Sequence, residues 1–405
     1  MTGLADAAVR PGLPEPFAPR TVGIIGAGLM GTTLAAATAK FGIRVVLYDA
    51  DPQALGTVAA RIACETGADA AGQITTTSDL LSAATCDAVL ESIVESLAAK
   101  QRLYGELEPH LGPGTMVFSN TSTISICALA AKMRYRSRFC GLHFFHPVRR
   151  RPLVEIIRHP ATSDRTVAAA TALAKSIGKV PLLVNDGPGF LVNRLLMPYL
   201  GEALELLLEG ASMESIERAA LDFGMALGPL RLTDEIGLDT LLLGGRVLWK
   251  AFPLRIAPSP LLVAMYKAKR LGRKVGRGFF AYPAGAAVDE PGCLDPQVEP
   301  ILAAWAKGRQ SFTASQIINR LLLPMVLEAT RVLEEKAVSQ PRDIDLGSVL
   351  GLGFPAARGG LLRWADERGP REIVAALGQF AHLGVRVNPT PLLLQMARDN
   401  TRFCA

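Results

Sequence analysis

No two of the six cysteines (Cys64, Cys86, Cys127, Cys140, Cys293, Cys404) stand at CxxC or any other ligand spacing. That excludes a zinc-ribbon or dithiol redox motif, and no metal is expected. No secretory leader is expected either. The first twenty residues lack a basic segment followed by an apolar one, and Pro11, Pro14, Pro16 and Pro19 predict an irregular tail over 1–20. Free thiols in a reducing cytoplasm are therefore expected. No apolar run reaches bilayer-spanning length, so no membrane is expected as partner. A dense basic–aromatic tract is absent, which argues against nucleic acid. The net charge of only +6 suits a phosphate-bearing small molecule or an acidic partner. What is present is apolar residue in quantity: 49% of 405 residues, enough to bury the cores of two or three domains.

From Thr21 the pattern runs strand, glycine turn, helix, strand. "TVGIIGAG" has the continuous apolar character of a buried strand, "LMGTTLAAATAKFG" that of an alanine-rich helix ending at Gly42, and "RVVLYD" that of the next strand. Further strands are predicted at "DAVLESI", "TMVFSN", "RFCGLHFF" and "LVEIIR", with helical patterns between several of them. Such alternation predicts an α/β domain with a parallel sheet covered on both faces. A helical domain is expected to begin close to Val184.

That helical half repeats itself. "NRLLMPYLGEALELLLEGA" (193–211) aligns with "NRLLLPMVLEATRVLEEKA" (319–337), with ten of nineteen positions identical. Each copy carries a proline at the same point, Pro198 and Pro324, expected to kink or offset its helix. A proline- and glycine-rich stretch joins them. The expected boundaries are a tail at 1–20, a Rossmann-type domain at 21–185, a first helical domain at 186–285, a linker at 286–310 and a second, related helical domain at 311–405.

"GAGLMG" places Gly26, Gly28 and Gly31 as G-x-G-x-x-G between strand and helix. Gly26 permits the tight turn, Gly28 admits a pyrophosphate to the backbone, and Gly31 lets helix and strand pack closely. The N–H groups and positive dipole end of the helix then face the phosphates. Asp49, eighteen residues after Gly31, is placed to accept the ribose hydroxyls and to repel a 2′-phosphate, which favours NAD over NADP. FAD uses the same opening, and the glycine pattern does not separate the two.

"GLHFFHPVRRRPLVEII" then brings two of the five histidines together three residues apart. Oxidising a hydroxyl to a carbonyl requires a base for the hydroxyl proton, and imidazole suits that task when a carboxylate holds its other nitrogen. His143 and Glu155 lie on consecutive strands across a short link containing Pro147 and Pro152. A lone glutamate in an apolar strand is costly to bury without a partner. Spacing alone leaves two readings open, a catalytic dyad or a structural strand histidine.

"GAGLMG", "FSNTSTISI", "GLHFFHPV", "PLVEII" and "GPGFLVNRLLMPYLGEA", in this order, resemble the L-3-hydroxyacyl-CoA dehydrogenase family from about Thr21 to Tyr282. The second helical stretch looks like the duplicated end of the multifunctional fatty-acid oxidation alpha subunit. Its hydratase half is not expected, since only twenty residues precede the first strand. The resemblance implies NAD-linked oxidation of a (3S)-3-hydroxyacyl thioester to the 3-ketoacyl thioester, or the reverse, as in β-oxidation. His143 would be the base and Glu155 its orienting partner. Ser122 would hydrogen-bond the substrate oxygen and Asn193 complete the polar cluster. Glu95, Lys100, Ser122, His146 and Lys274 would lie near the cofactor. Each has a plainer alternative: Ser122 capping a helix that begins at Ile124, Asn193 satisfying backbone near its helix start, Lys100 and Lys274 as solvated charges.

Two departures stand out. His146 occupies a position where the family carries asparagine, replacing a fixed amide by an imidazole. After the second strand, where the family places a CoA-contacting arm, the only basic residue is Arg61, while Arg149, Arg150 and Arg151 crowd the catalytic strand. CoA thioester is the expected substrate. An acyl-carrier-protein thioester is the alternative, and a non-catalytic dinucleotide-binding scaffold a further one. A tandem helical domain that mimics a dimer contact implies a monomer; a homodimer is the other possibility.

Overall fold

The computed structural model describes residues 18–66, 68–256, 258–283, 285 and 290–404. Most of the expected N-terminal tail, including Pro11, Pro14 and Pro16, lies outside them, as does part of the expected linker. The chain divides into two compact units, Met1–Phe190 and Leu191–Ala405.

The first unit is an eight-stranded sheet: β1 (Thr21–Ile25), β2 (Arg44–Tyr48), β3 (Ile74–Thr77), β4 (Ala88–Glu91), β5 (Met116–Ser119), β6 (Phe139–Phe144), β7 (Leu153–Arg158) and β8 (Val180–Asn185). The spatial order is β3-β2-β1-β4-β5-β6-β7-β8. Strands β1 to β6 are parallel, connected through helices that include α1 (Leu29–Ala39), α2 (Pro52–Thr66) and α3 (Leu97–Leu107). The order reverses between β1 and β4, which opens a crevice at the carboxyl ends of the strands.

The sheet is not wholly parallel, as the alternation had predicted. β7 runs antiparallel to β6, and β8 then pairs parallel to β7 through α4 (Asp164–Ser176). The link 145–152 is too short for a parallel crossover, which needs a dozen or more residues. β8 also moves the start of the helical region: Val184 lies inside this strand, and the first helix beyond it begins at Val192.

In the second unit α5 (Val192–Glu209) is followed by α6 (Met213–Phe223), α7 (Pro229–Ile236), α8 (Leu238–Ala251) and α9 (Pro260–Lys267). A small hairpin, β9 (Phe280–Ala281) with β10 (Cys293–Leu294), and α10 (Glu299–Trp305) fall in or beside the stretch expected to be linker. Pro300 near the start of α10 suits the first turn, where no intrahelical N–H is needed. Then come α11 (Ala314–Glu334), α12 (Pro341–Gly347), α13 (Leu361–Arg368), α14 (Pro370–Gly378) and α15 (Pro391–Asp399). Among the described residues no helix is long and apolar enough to cross a membrane.

The two long helices α5 and α11 pack on each other through reciprocal ion pairs. Arg194 donates to Glu328 at 2.6 Å and to Glu335 at 2.7 Å, and Arg320 donates to Glu202 and Glu209, each at 2.7 Å. Arg194 and Arg320 are almost wholly buried, so each guanidinium depends on its carboxylates for its polar partners. Pro198 and Pro324 lie within helices that continue past them.

Two further constructions recur. Asp234 accepts the backbone N–H of Phe279 and Phe280, and Asp366 those of Phe403 and Cys404. Glu217 accepts from Leu230 and Arg231, and Asp345 from Leu362 and Arg363.

Candidate active site

β1 ends in Gly26, whose φ of +106° requires glycine, and its N–H donates to the Tyr48 carbonyl at 2.8 Å. Gly31 sits in the first turn of α1, where a Cβ would overlap the Gly26 carbonyl oxygen. At Gly28, by contrast, a Cβ would meet nothing within 4 Å. Bare space at a helix N-terminus, with unsatisfied N–H groups, fits a pyrophosphate. Asp49 is tied to the same loop, its Oδ2 accepting the Ala27 N–H at 2.7 Å and its Oδ1 that of Asp51 at 2.9 Å.

At the end of β4 stands a residue that the sequence reading passed over. Glu91 is fully buried and accepts from Lys100 Nζ at 2.6 Å, Tyr104 Oη at 2.6 Å, Ser119 Oγ at 2.7 Å and the Ile93 N–H at 2.7 Å. The signal was available, a glutamate inside the apolar run "DAVLESI". Lys100 is no solvated charge: it is 1% exposed and also reaches Glu95 at 3.4 Å.

Glu95 Oε1 gathers the next loop, accepting Thr121 Oγ1 at 2.7 Å, the Ser122 and Thr123 N–H groups at 3.0 Å and Thr123 Oγ1 at 3.1 Å. Burial works against its charge, yet the Lys100 ammonium and these donors hold its carboxyl below the usual range. Ser122 is exposed on this loop. It does not cap a helix at Ile124; the short helix begins at Ile126 and Ser125 caps it, its Oγ accepting the Ala128 N–H.

His143 and Glu155 face each other in register on the antiparallel pair β6–β7. Nδ1 of His143 lies 2.8 Å from Glu155 Oε2, with 5% and 0% of the two side chains exposed. Phe145 and Phe190 pack on the imidazole at ring-centroid distances of 4.6 and 5.7 Å. Nearby, the Asn120 side chain accepts the Phe144 N–H at 2.9 Å and ties the ends of β5 and β6 together. His146 is exposed just beyond β6.

Two of the expected residues belong to the helical unit. Asn193 is half-buried in the first turn of α5. Lys274 Nζ bonds both carboxylate oxygens of Asp239 at 2.6 Å, which makes it an ion-paired lysine.

A doubly wound sheet with a glycine loop at its switch point and a buried His–Glu pair at the end of a neighbouring strand place the first unit in the class of nicotinamide-dinucleotide-binding folds. Comparison with known proteins narrows that class. Residues 21–187 match the family description "3-hydroxyacyl-CoA dehydrogenase, NAD binding domain" and residues 189–282 match "3-hydroxyacyl-CoA dehydrogenase, C-terminal domain". The chain belongs to the 3-hydroxyacyl-CoA dehydrogenase family, and its cofactor is NAD.

Similar proteins include the fatty acid oxidation complex subunit alpha of Pseudomonas aeruginosa, 39% identical over 78% of this chain and 45% of that one. The chain thus spans about half the length of the curated relatives it matches. Among solved structures, 3-hydroxybutyryl-CoA dehydrogenase from Escherichia coli K12 superposes with a TM-score of 0.82 at 27% identity, covering 94% of this chain and 99% of that one. (S)-3-hydroxybutyryl-CoA dehydrogenase PaaH1 from Ralstonia eutropha is 38% identical with a TM-score of 0.61, covering 66% of this chain and all of its own.

Proposed function

We propose that the chain oxidises (3S)-3-hydroxyacyl-CoA to 3-ketoacyl-CoA with NAD, or runs the reverse. The observation that carries this reading is the 2.8 Å contact between His143 Nδ1 and Glu155 Oε2, with both side chains buried. With Nδ1–H donated to the carboxylate, Nε2 is left as the base. It takes the substrate's hydroxyl proton as the carbonyl forms, and Glu155 stabilises the imidazolium that results. NAD, when bound, supplies the acceptor for the hydride leaving C3. Ser122 and Asn193 would hold the reacting oxygen. Glu95, Lys100, His146 and Lys274 would lie beside the cofactor.

The test follows NADH absorbance with acetoacetyl-CoA. Turnover by the intact chain is expected, with a loss of about 10²- to 10⁴-fold in His143→Gln and unchanged NADH affinity. Near-normal rates in that variant would remove His143 from the base's role.

A carrier-bound thioester remains the second reading, because Arg61, the lone basic residue of the expected CoA arm, turns back to donate to the Ala27 carbonyl at 2.9 Å. Parallel assays with CoA and carrier-bound substrates decide it, and efficient turnover of the free CoA thioester counts against the carrier.

We further propose the domain limits 21–185, 186–285 and 311–405, the last two being tandem copies of one helical unit. The support is positional. Arg194, Glu202 and Glu209 correspond in the repeat to Arg320, Glu328 and Glu335, and each arginine clamps the other copy's acids. A C2 dimer interface has this reciprocity, which favours a monomer with the contact internalised. The described cysteines are free thiols, in keeping with a cytoplasmic location.

A further inference from the structure

The helical unit contains a cavity of about 240 Å³ between α5, α8, α11 and the segment 255–262. Its origin is legible in the two helices that bound it. Pro198 and Pro324 both line it, and a proline ring inside a helix crowds the preceding turn and holds back close packing. Gly201 and Gly245, also on the wall, add no side chain to fill the gap. The remaining wall is largely apolar, with Met197, Leu204, Leu241 and Ile256.

One end of this apolar space is charged. Glu328, Arg255 and Arg331 line it. Glu328 is shared by three guanidinium groups: Arg194 at 2.6 Å, Arg255 at 3.3 Å and Arg331 at 3.3 Å. The second carboxylate within reach, Glu335, serves Arg194 at 2.7 Å and Arg255 at 2.8 Å. Three cations therefore meet two anions, and Arg331 holds only the long contact to a carboxylate already saturated. Burial works against the Arg331 charge more than Glu328 compensates for it.

Ser259 supplies the second observation. It lines the same cavity, is 7% exposed, and its buried Oγ has no hydrogen-bond partner. An unpaired buried hydroxyl is destabilising, and a ligand oxygen would relieve it.

We propose that this cavity is a binding site for a free acyl monocarboxylate, with the aliphatic chain against the leucine and methionine wall and the carboxylate on Arg331, Arg255 and Ser259. The surplus of one positive charge matches a monoanion. Of the other acids on the wall, Glu202 pairs with Arg386 and Glu205 with Lys307, so neither is left to repel an anion. The inference is independent of the dehydrogenase reading and concerns the helical unit alone.

Isothermal titration of the full chain with decanoate and with decanol tests it, with oxidised NAD and acetoacetyl-CoA, a pair that cannot turn over, held saturating so that the dehydrogenase site is occupied. Decanoate is expected to bind at least tenfold more tightly than decanol. Arg331→Met should weaken decanoate about tenfold and leave decanol unchanged, and Ser259→Ala should weaken it severalfold. Gly245→Leu, which fills the cavity without touching a charge, should abolish both, and it decides the matter if the Arg331 variant does not fold. Equal binding of decanoate and decanol, or full decanoate affinity in Gly245→Leu, would overturn the proposal.

Discussion

Lys100 Nζ and Glu91 Oε1 lie 2.6 Å apart with 1% and 0% of their side chains exposed, so neither charge has water to fall back on. Removing one member of such a pair is far more costly than removing both. Glu91→Gln should destabilise the protein by about 3–5 kcal/mol in urea unfolding. The double variant Glu91→Gln/Lys100→Met should recover much of that loss. If it unfolds as readily as the single variant, the pair is not coupled.

The same lysine sets the acid limit of the neighbouring loop. Glu95 has a depressed carboxyl pKa, so the order it gives the 121–123 backbone is present above the usual carboxylate range and lost as pH falls through its folded value. Lys100→Met removes the strongest stabilising charge and raises that value. The acid limb of the kcat/KM profile should move to higher pH in Lys100→Met and stay in place in Lys100→Arg.

Two glycines of one loop should fail differently. Gly31→Ala drives a Cβ into the Gly26 carbonyl and should lower Tm along with NADH affinity. Gly28→Ala meets no protein atom, so it should melt normally while losing NADH affinity, read by nicotinamide fluorescence. Equal melting losses in both would contradict the packing described for Gly31.

Arg320 is 2% exposed between Glu202 and Glu209. Arg320→Ala leaves two carboxylates with a lost counter-ion and should cost about 3–5 kcal/mol, whereas exposed Arg102→Ala should change stability by less than about 0.5 kcal/mol. Differential scanning calorimetry separates the two.

The sequence carried the glycine loop, six of the eight strands and the His143–Glu155 pair, because apolar runs and short links are local signals. It missed β3, whose "ITTT" is polar, and β8, which lies just before the helical region. It also missed Glu91. A buried acid is recognisable only by its partners, and Tyr104 and Ser119 lie 13 and 28 residues away. The arginine clamps were in plain view as "NR" in both repeat copies. Their partners stand more than a hundred residues off, and no periodicity connects them.

Those clamps redraw where this chain can be cut. The matched family domains end at residue 282, but a fragment ending there would keep Arg194, Glu202 and Glu209 and forfeit every acid and base that neutralises them across the α5 face. Stranded charge on a greasy helix seeks another copy of itself, so such a truncation should trade a self-contained protein for a sticky one.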